Sequence, residues 1–117
     1  MAEPDVIDRA VFDALLESVG GDQDFLADLL QTYFEDSPQL LGAMHAALAA
    51  GNVEEFRRAA HSFKSNSKTF GALALSELAK GLEEMGKSGM LEGAAAGIAQ
   101  AEAEYARVKA ALRVLGA

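Results

Sequence analysis

The sequence predicts an all-α fold, an antiparallel four-helix bundle with a short additional helix at its N-terminal end. Three observations point there. Ala, Leu and Glu dominate, β-branched residues are sparse, and proline occurs only at Pro4 and Pro38, a balance that favours helix over strand. Apolar residues recur at spacings of three and four along most of the chain, the repeat of an amphipathic helix. The periodic segments are separated by short breaks that contain glycine, and short connections make consecutive helices pack antiparallel. With 117 residues and no repeat or low-complexity linker, residues 1–117 read as a single domain around one core.

Each element follows from local chemistry. Asp8 is placed to cap a helix from residue 9 to about 19, closed by Gly20 and Gly21. Asp22 caps a longer stretch in which Phe25, Leu26, Leu29, Leu30, Tyr33 and Phe34 form the apolar stripe. Ser37 and Pro38 then read as a kink or restart, because proline disfavours helix at the preceding residue and suits a first turn. Leu40, Leu41, Met44, Ala47 and Leu48 carry the stripe on to Gly51. Asn52 caps the next helix, residues 53 to about 70, and Gly71 ends it. The following helix spans about 73–87, with Leu75, Leu78, Leu82 and Met85 expected inward. Ser88 and Gly89 make the last turn, and the final helix runs from 91 to about 115.

Composition narrows the function. With no cysteine, disulfides, thiolate metal sites and cysteine nucleophiles are excluded. Residues 1–8 are acidic and polar, unlike a signal peptide, and no apolar run is long enough to span a bilayer. A cytoplasmic protein is the expectation. The net charge of −8 argues against nucleic-acid and anionic-membrane binding. That charge is uneven. Residues 53–70 carry Arg57, Arg58, Lys64 and Lys68 against Glu54 and Glu55, a local +2 that leaves −10 for the rest.

The basic segment also holds one of the two histidines. At about 100° per residue, Phe56, Ala60, Phe63, Ser67 and Phe70 share the core stripe, while Arg57, His61, Lys64, Ser65 and Lys68 share a second face. No carboxylate stands three or four residues from His61 on its own helix. Surrounding cations favour the neutral, nucleophilic imidazole and would stabilise a phosphoryl group attached to it. The alternative is a solvated basic face that happens to include a histidine. His45 lies beside Leu41, Met44 and Leu48 with no such cluster, and reads as a boundary residue. Neither histidine fits a Glu-x-x-His metal pair, since Arg58 and Gly42 occupy the glutamate places.

The run Ala60-His61-Ser62-Phe63-Lys64-Ser65-Asn66-Ser67-Lys68-Thr69-Phe70-Gly71-Ala72, continued by Leu75, Leu78, Leu82 and Glu83, resembles the histidine-containing phosphotransfer domain, HPt. The resemblance extends over nearly the whole chain. It implies that His61 is the phosphoacceptor, Lys64 stabilises the phosphate, and Gly71 makes the turn after the motif helix. Ser65 stands where the family often has glycine, and would leave room for a docking partner. Arg57 and Lys68 are expected to supply field and docking contacts. Some members of the family carry a glutamate on the next helix that accepts a hydrogen bond from the imidazole, which makes Glu83 a candidate for orienting His61. Lys80, one turn earlier, would hold that glutamate or compete for it.

The function implied is a relay between receiver-domain aspartates through a phosphohistidine. The chain would be a carrier that is not itself an enzyme, with no bound cofactor and with Mg²⁺ supplied by the receiver. Its partners would be receiver domains of response regulators or hybrid histidine kinases. No nucleotide-binding motif of the GxxxxGK[ST] type occurs. A non-catalytic helical adaptor and the dimerisation domain of a histidine kinase are the rival readings; the first has no need of the His61–Lys64 pair, and the second usually needs a following ATP-binding domain.

Overall fold

Side-chain caps start the first three helices of the computed structural model, which describes residues 6–116. Asp8 accepts from the Val11 amide to open α1, Arg9–Ser18. Asp22 accepts from the Asp24 and Phe25 amides to open α2, Gln23–Ala50. Asn52 accepts from Glu55 to open α3, Val53–Thr69. Two helices without a side-chain cap follow, α4 at Leu73–Ser88 and α5 at Ala94–Leu115. The acidic leading segment and Pro4 lie, through residue 5, outside the described residues.

Four sequence expectations need correction. Helix α2 runs through Pro38 without interruption. Proline inside a helix forfeits one ladder bond and costs about 3 kcal/mol, yet Pro38 faces solvent while Tyr33, Ser37, Leu41 and Met44 are buried on the opposite stripe. Burial along that stripe carries the helix across the defect, and Ser37 Oγ donates to the Tyr33 carbonyl at 2.7 Å within the same turn. Phe25 is half exposed, while its neighbour Leu26 takes the buried position in the same turn. The inward stripe of α4 is Leu75, Ala79, Leu82 and Gly86, with Leu78 and Met85 only half buried at its edges. Helix α5 starts at Ala94 rather than Leu91, since Gly93 adopts a left-handed φ of 86° that ends the preceding turn.

Consecutive helices pack in sequence from α2 to α5, and α5 returns against α2 to close a four-membered ring. The short α1 packs against α3, and its leading Asp8 amide donates to the Gly71 carbonyl at 2.8 Å. The expected architecture is therefore the observed one. Phe56, Phe63, Met44, Leu82, Ile98, Val108 and Leu112 fill the interior. Each such side chain contributes about 1.5–3 kcal/mol on burial, against at most about 1 kcal/mol for an exposed ion pair. The two fully buried phenylalanines of α3 therefore set its rotation, and His61 is turned outward as a result. One polar link crosses the core, between Tyr33 Oη and Ser67 Oγ at 2.8 Å. Burial pushes the Tyr33 phenol up to about 12 despite that bond. Among the described residues no helix is long and apolar enough to cross a membrane.

Candidate functional site

Antiparallel packing of α3 and α4 about Gly71 brings Glu83 beside His61, twenty-two residues earlier in the chain. Glu83 Oε2 lies 2.7 Å from His61 Nδ1, and Lys64 Nζ donates to Glu83 Oε1 at 2.6 Å. The carboxylate side chain is only 4% exposed, whereas the imidazole is 54% exposed and Lys64 26%. One buried carboxylate thus joins two residues of the motif, each through its own oxygen.

The electrostatics fix the imidazole's proton. The hydrogen bond from Lys64 holds the Glu83 carboxyl below the usual carboxylate range, outweighing burial, and the His61 bond adds to it. Glu83 is therefore a carboxylate at neutral pH and can only accept hydrogen bonds. His61 Nδ1 must carry the hydrogen. In the neutral ring the lone pair then belongs to Nε2, the nitrogen not engaged by Glu83. His61 itself borders an open groove lined by Asp36, Gln39 and Leu40 of α2 and by Ser62, Ser65 and Asn66 of α3.

The cations are arranged differently from the ring expected around His61. Arg57 pairs with Glu54, and Arg58 with Glu54 and Glu55, one turn back on the same helix. Their field at His61 is largely compensated. Lys64 is engaged by Glu83, and Lys87 stands 4.0 Å from the same carboxylate. Lys80, expected to attend Glu83, is exposed and instead borders a surface depression with Lys64, Lys68, Leu73, Ser76 and Glu77. Lys64 and Lys87 occupy the role given to it because they, not Lys80, flank Glu83 on this face. Lys68 is exposed in the last turn of α3, and Ser65 is exposed one turn beyond His61.

Gly71 has a φ of 84°, and a Cβ there would stand 2.7 Å from the Asp8 carbonyl oxygen. The position requires glycine both for conformation and for the approach of α1. His45 is half exposed and pairs with Glu102 of α5 at 3.1 Å, a surface link away from the groove. Among the described residues no three His, Cys, Asp or Glu side chains gather as a metal site.

Two contributors escaped the sequence reading. Ser76 Oγ donates to the Lys64 carbonyl at 3.1 Å, and Gly86 lies directly against the Arg57 backbone. Serine and glycine inside an amphipathic helix carry little signal individually. Their shared stripe with Ala79 was the available sign that α4 approaches a neighbour closely. The α2 wall of the groove was also missed, since nothing in Asp36, Gln39 and Leu40 marks which helix lies across from His61.

Comparison with known proteins gives a consistent result. A family model described as the Hpt domain matches residues 28–111. The chain is similar to the crystal structure of histidine-containing phosphotransfer protein B (HptB) from Pseudomonas aeruginosa PAO1. That likeness has a TM-score of 0.88 and 36% sequence identity, and covers 97% of this chain and 96% of the other. A search of curated proteins finds no match.

Proposed function

The chain belongs to the Hpt domain family, and from that membership we propose that it relays a phosphoryl group between receiver-domain aspartates through a phosphohistidine at His61. The observation that carries the reading is the half-exposed imidazole whose Nδ1 is held by a buried carboxylate. Such a ring presents one nucleophilic nitrogen, in one orientation, to whatever docks on the adjacent groove.

In the forward step the Nε2 lone pair attacks the phosphorus of an aspartyl phosphate in line. The N–P bond forms as the P–O bond breaks, and the bonding electrons leave with the aspartate as its carboxylate. Nδ1 keeps its hydrogen, so the phosphorylated ring is cationic, and the Glu83 carboxylate 2.7 Å away balances that charge. Lys64 lies one turn from His61 and can exchange a Glu83 oxygen for a phosphoryl oxygen without leaving its place. Return transfer reverses these events on a second receiver.

The chemistry of phosphoryl transfer calls for a divalent cation, which we assign to the receiver, with Mg²⁺ the expected ion. Ser65 and the groove beside it form the docking surface, with Arg57 and Lys68 at its margin. On this reading the chain is a carrier rather than an enzyme, working on receivers of response regulators or hybrid kinases in the cytoplasm.

The test is labelling by purified phosphorylated receivers. The expected product is an acid-labile, alkali-stable phosphoprotein, lost in His61→Gln and retained in His45→Gln, with no labelling from ATP alone. Labelling that survives His61→Gln refutes the assignment.

A further inference from the structure

Along α3 and α4 three contacts stand in register. Ser76 Oγ holds the Lys64 carbonyl at one end, and Glu83 bridges His61 and Lys64 in the middle. At the other end Gly86 meets Arg57. This last contact is unusually close. A Cβ built on Gly86 would stand 2.7 Å from Arg57 Cβ, 2.8 Å from its Cα and 3.0 Å from its backbone nitrogen. Two of those atoms are backbone, so no side-chain rotation relieves the overlap.

We propose that Gly86 is a positioning residue for His61: by lacking a side chain it lets α4 approach α3 closely enough for Glu83 to reach both His61 and Lys64. The inference rests on the phosphohistidine reading for its functional consequence, though not for its geometry. Gly86 is one turn from Glu83, and Arg57 is one turn from His61. An alanine at residue 86 would have to move out by about 1 Å to reach ordinary carbon–carbon contact. Glu83 has little slack to follow, since its side chain is nearly fully buried and both oxygens are bonded at 2.6 and 2.7 Å. Lengthening of that size takes a hydrogen bond to the edge of its useful range.

Not every tight glycine should behave this way. Gly97 on α5 also lacks room, but the atom in its way is Leu82 Cδ2, the end of a flexible side chain rather than backbone. Gly97→Ala therefore serves as a packing control. Gly81 has nothing within 4 Å, so Gly81→Ala controls for the propensity change.

The experiment records side-chain ¹⁵N and ¹H spectra of His61 in the full chain, beside rates of phosphoryl transfer from a phosphorylated receiver. Gly86→Ala is expected to weaken the Nδ1–H signature, mix the tautomers and slow transfer about tenfold. Gly97→Ala and Gly81→Ala are expected to keep the wild-type His61 spectrum whatever they do to thermal stability. Adding Arg57→Gly to Gly86→Ala removes the Cβ in the closest contact but leaves those to Cα and the backbone nitrogen, so the spectrum should recover only in part. If Gly86→Ala does not fold, the double variant carries the test, and a fully wild-type tautomer there, with the contacts to Arg57 Cα and nitrogen still in place, overturns the proposal. A wild-type His61 spectrum in Gly86→Ala also overturns it. A changed spectrum with unchanged transfer supports the positioning role and counts against the proposed function instead.

Discussion

Glu83→Gln keeps the shape of the buried side chain and removes its charge, and the geometry predicts more than a weakened bond. Lys64 Nζ can only donate, and it sits 2.6 Å from one of the two terminal atoms. The new amide must turn its oxygen there, which leaves its NH₂ facing His61 Nδ1. Nδ1 then becomes the acceptor, and the neutral ring moves its hydrogen to Nε2. The substitution selects the tautomer that cannot attack. A charge-assisted bond is worth about 1.5–3 kcal/mol and a neutral one about 0.5–1.5 kcal/mol. Because the ring is half exposed, the lower ends apply. Their combination, about 2 kcal/mol, corresponds to roughly 30-fold slower transfer. The measurements are the ¹⁵N spectrum of the neutral His61 ring and single-turnover transfer from a phosphorylated receiver. A variant that retains hydrogen on Nδ1, or transfers at the wild-type rate, refutes the reasoning.

The same substitution gives a stability test with a definite sign. The Glu83 carboxyl is held below its ordinary value of 4.5, chiefly by Lys64. Its ion pairs therefore stabilise the fold above that pH, and the contribution is lost as pH falls through the lowered folded-state value. Wild type should exceed Glu83→Gln by about 1 kcal/mol at pH 7, because the amide keeps neutral bonds in place of charged ones. The gap should close in acid. A gap that widens as pH falls below 4.5 would contradict the assigned charge state.

Lys64→Ala should slow transfer by about 1–3 kcal/mol of barrier, and Lys68→Ala by less, since only Lys64 reaches the bonded network; equal effects in a rate assay would mean a diffuse field. Ser65→Trp should abolish receiver binding by filling the groove beside His61 while leaving the helical circular dichroism intact, and an unchanged affinity would place docking elsewhere. Gly71→Ala should cost about 2–4 kcal/mol, from the left-handed backbone and the crowding of Asp8 together. A wild-type urea midpoint would refute that cost.

Much of this was legible in the residues because it depends on periodicity and local chemistry. The caps at Asp8, Asp22 and Asn52 and the stripe of Phe56, Ala60, Phe63 and Ser67 require only neighbours along the chain. Reversal at Gly71 sufficed to bring Glu83 near His61. What failed to show depends on distances between helices. The identity of the lysine beside Glu83 turns on the rotation of α4, and that rotation depends on small residues, Ala79 and Gly86, which a hydrophobic pattern underweights. Pro38 misled for a related reason. Its local cost is real, but burial of the opposite face of α2 is a tertiary term that local rules omit.

The ring of helices also bears on the order in which parts of the molecule come and go. Its seams between α2 and α3, α3 and α4, and α4 and α5 join chain neighbours, while the α2–α5 seam closes a loop spanning most of the sequence. Loop-closure entropy makes such a seam late to form and early to open. The α3–α4 hairpin, which has the most extensive of these interfaces, should be the slowest-exchanging cooperative unit. Native-state hydrogen exchange would reveal it as amides of α3 and α4 outlasting those of α1 and the far end of α5. His61, Lys64 and Glu83 all stand on that hairpin, so the outer helices can breathe open without disturbing the proton on Nδ1.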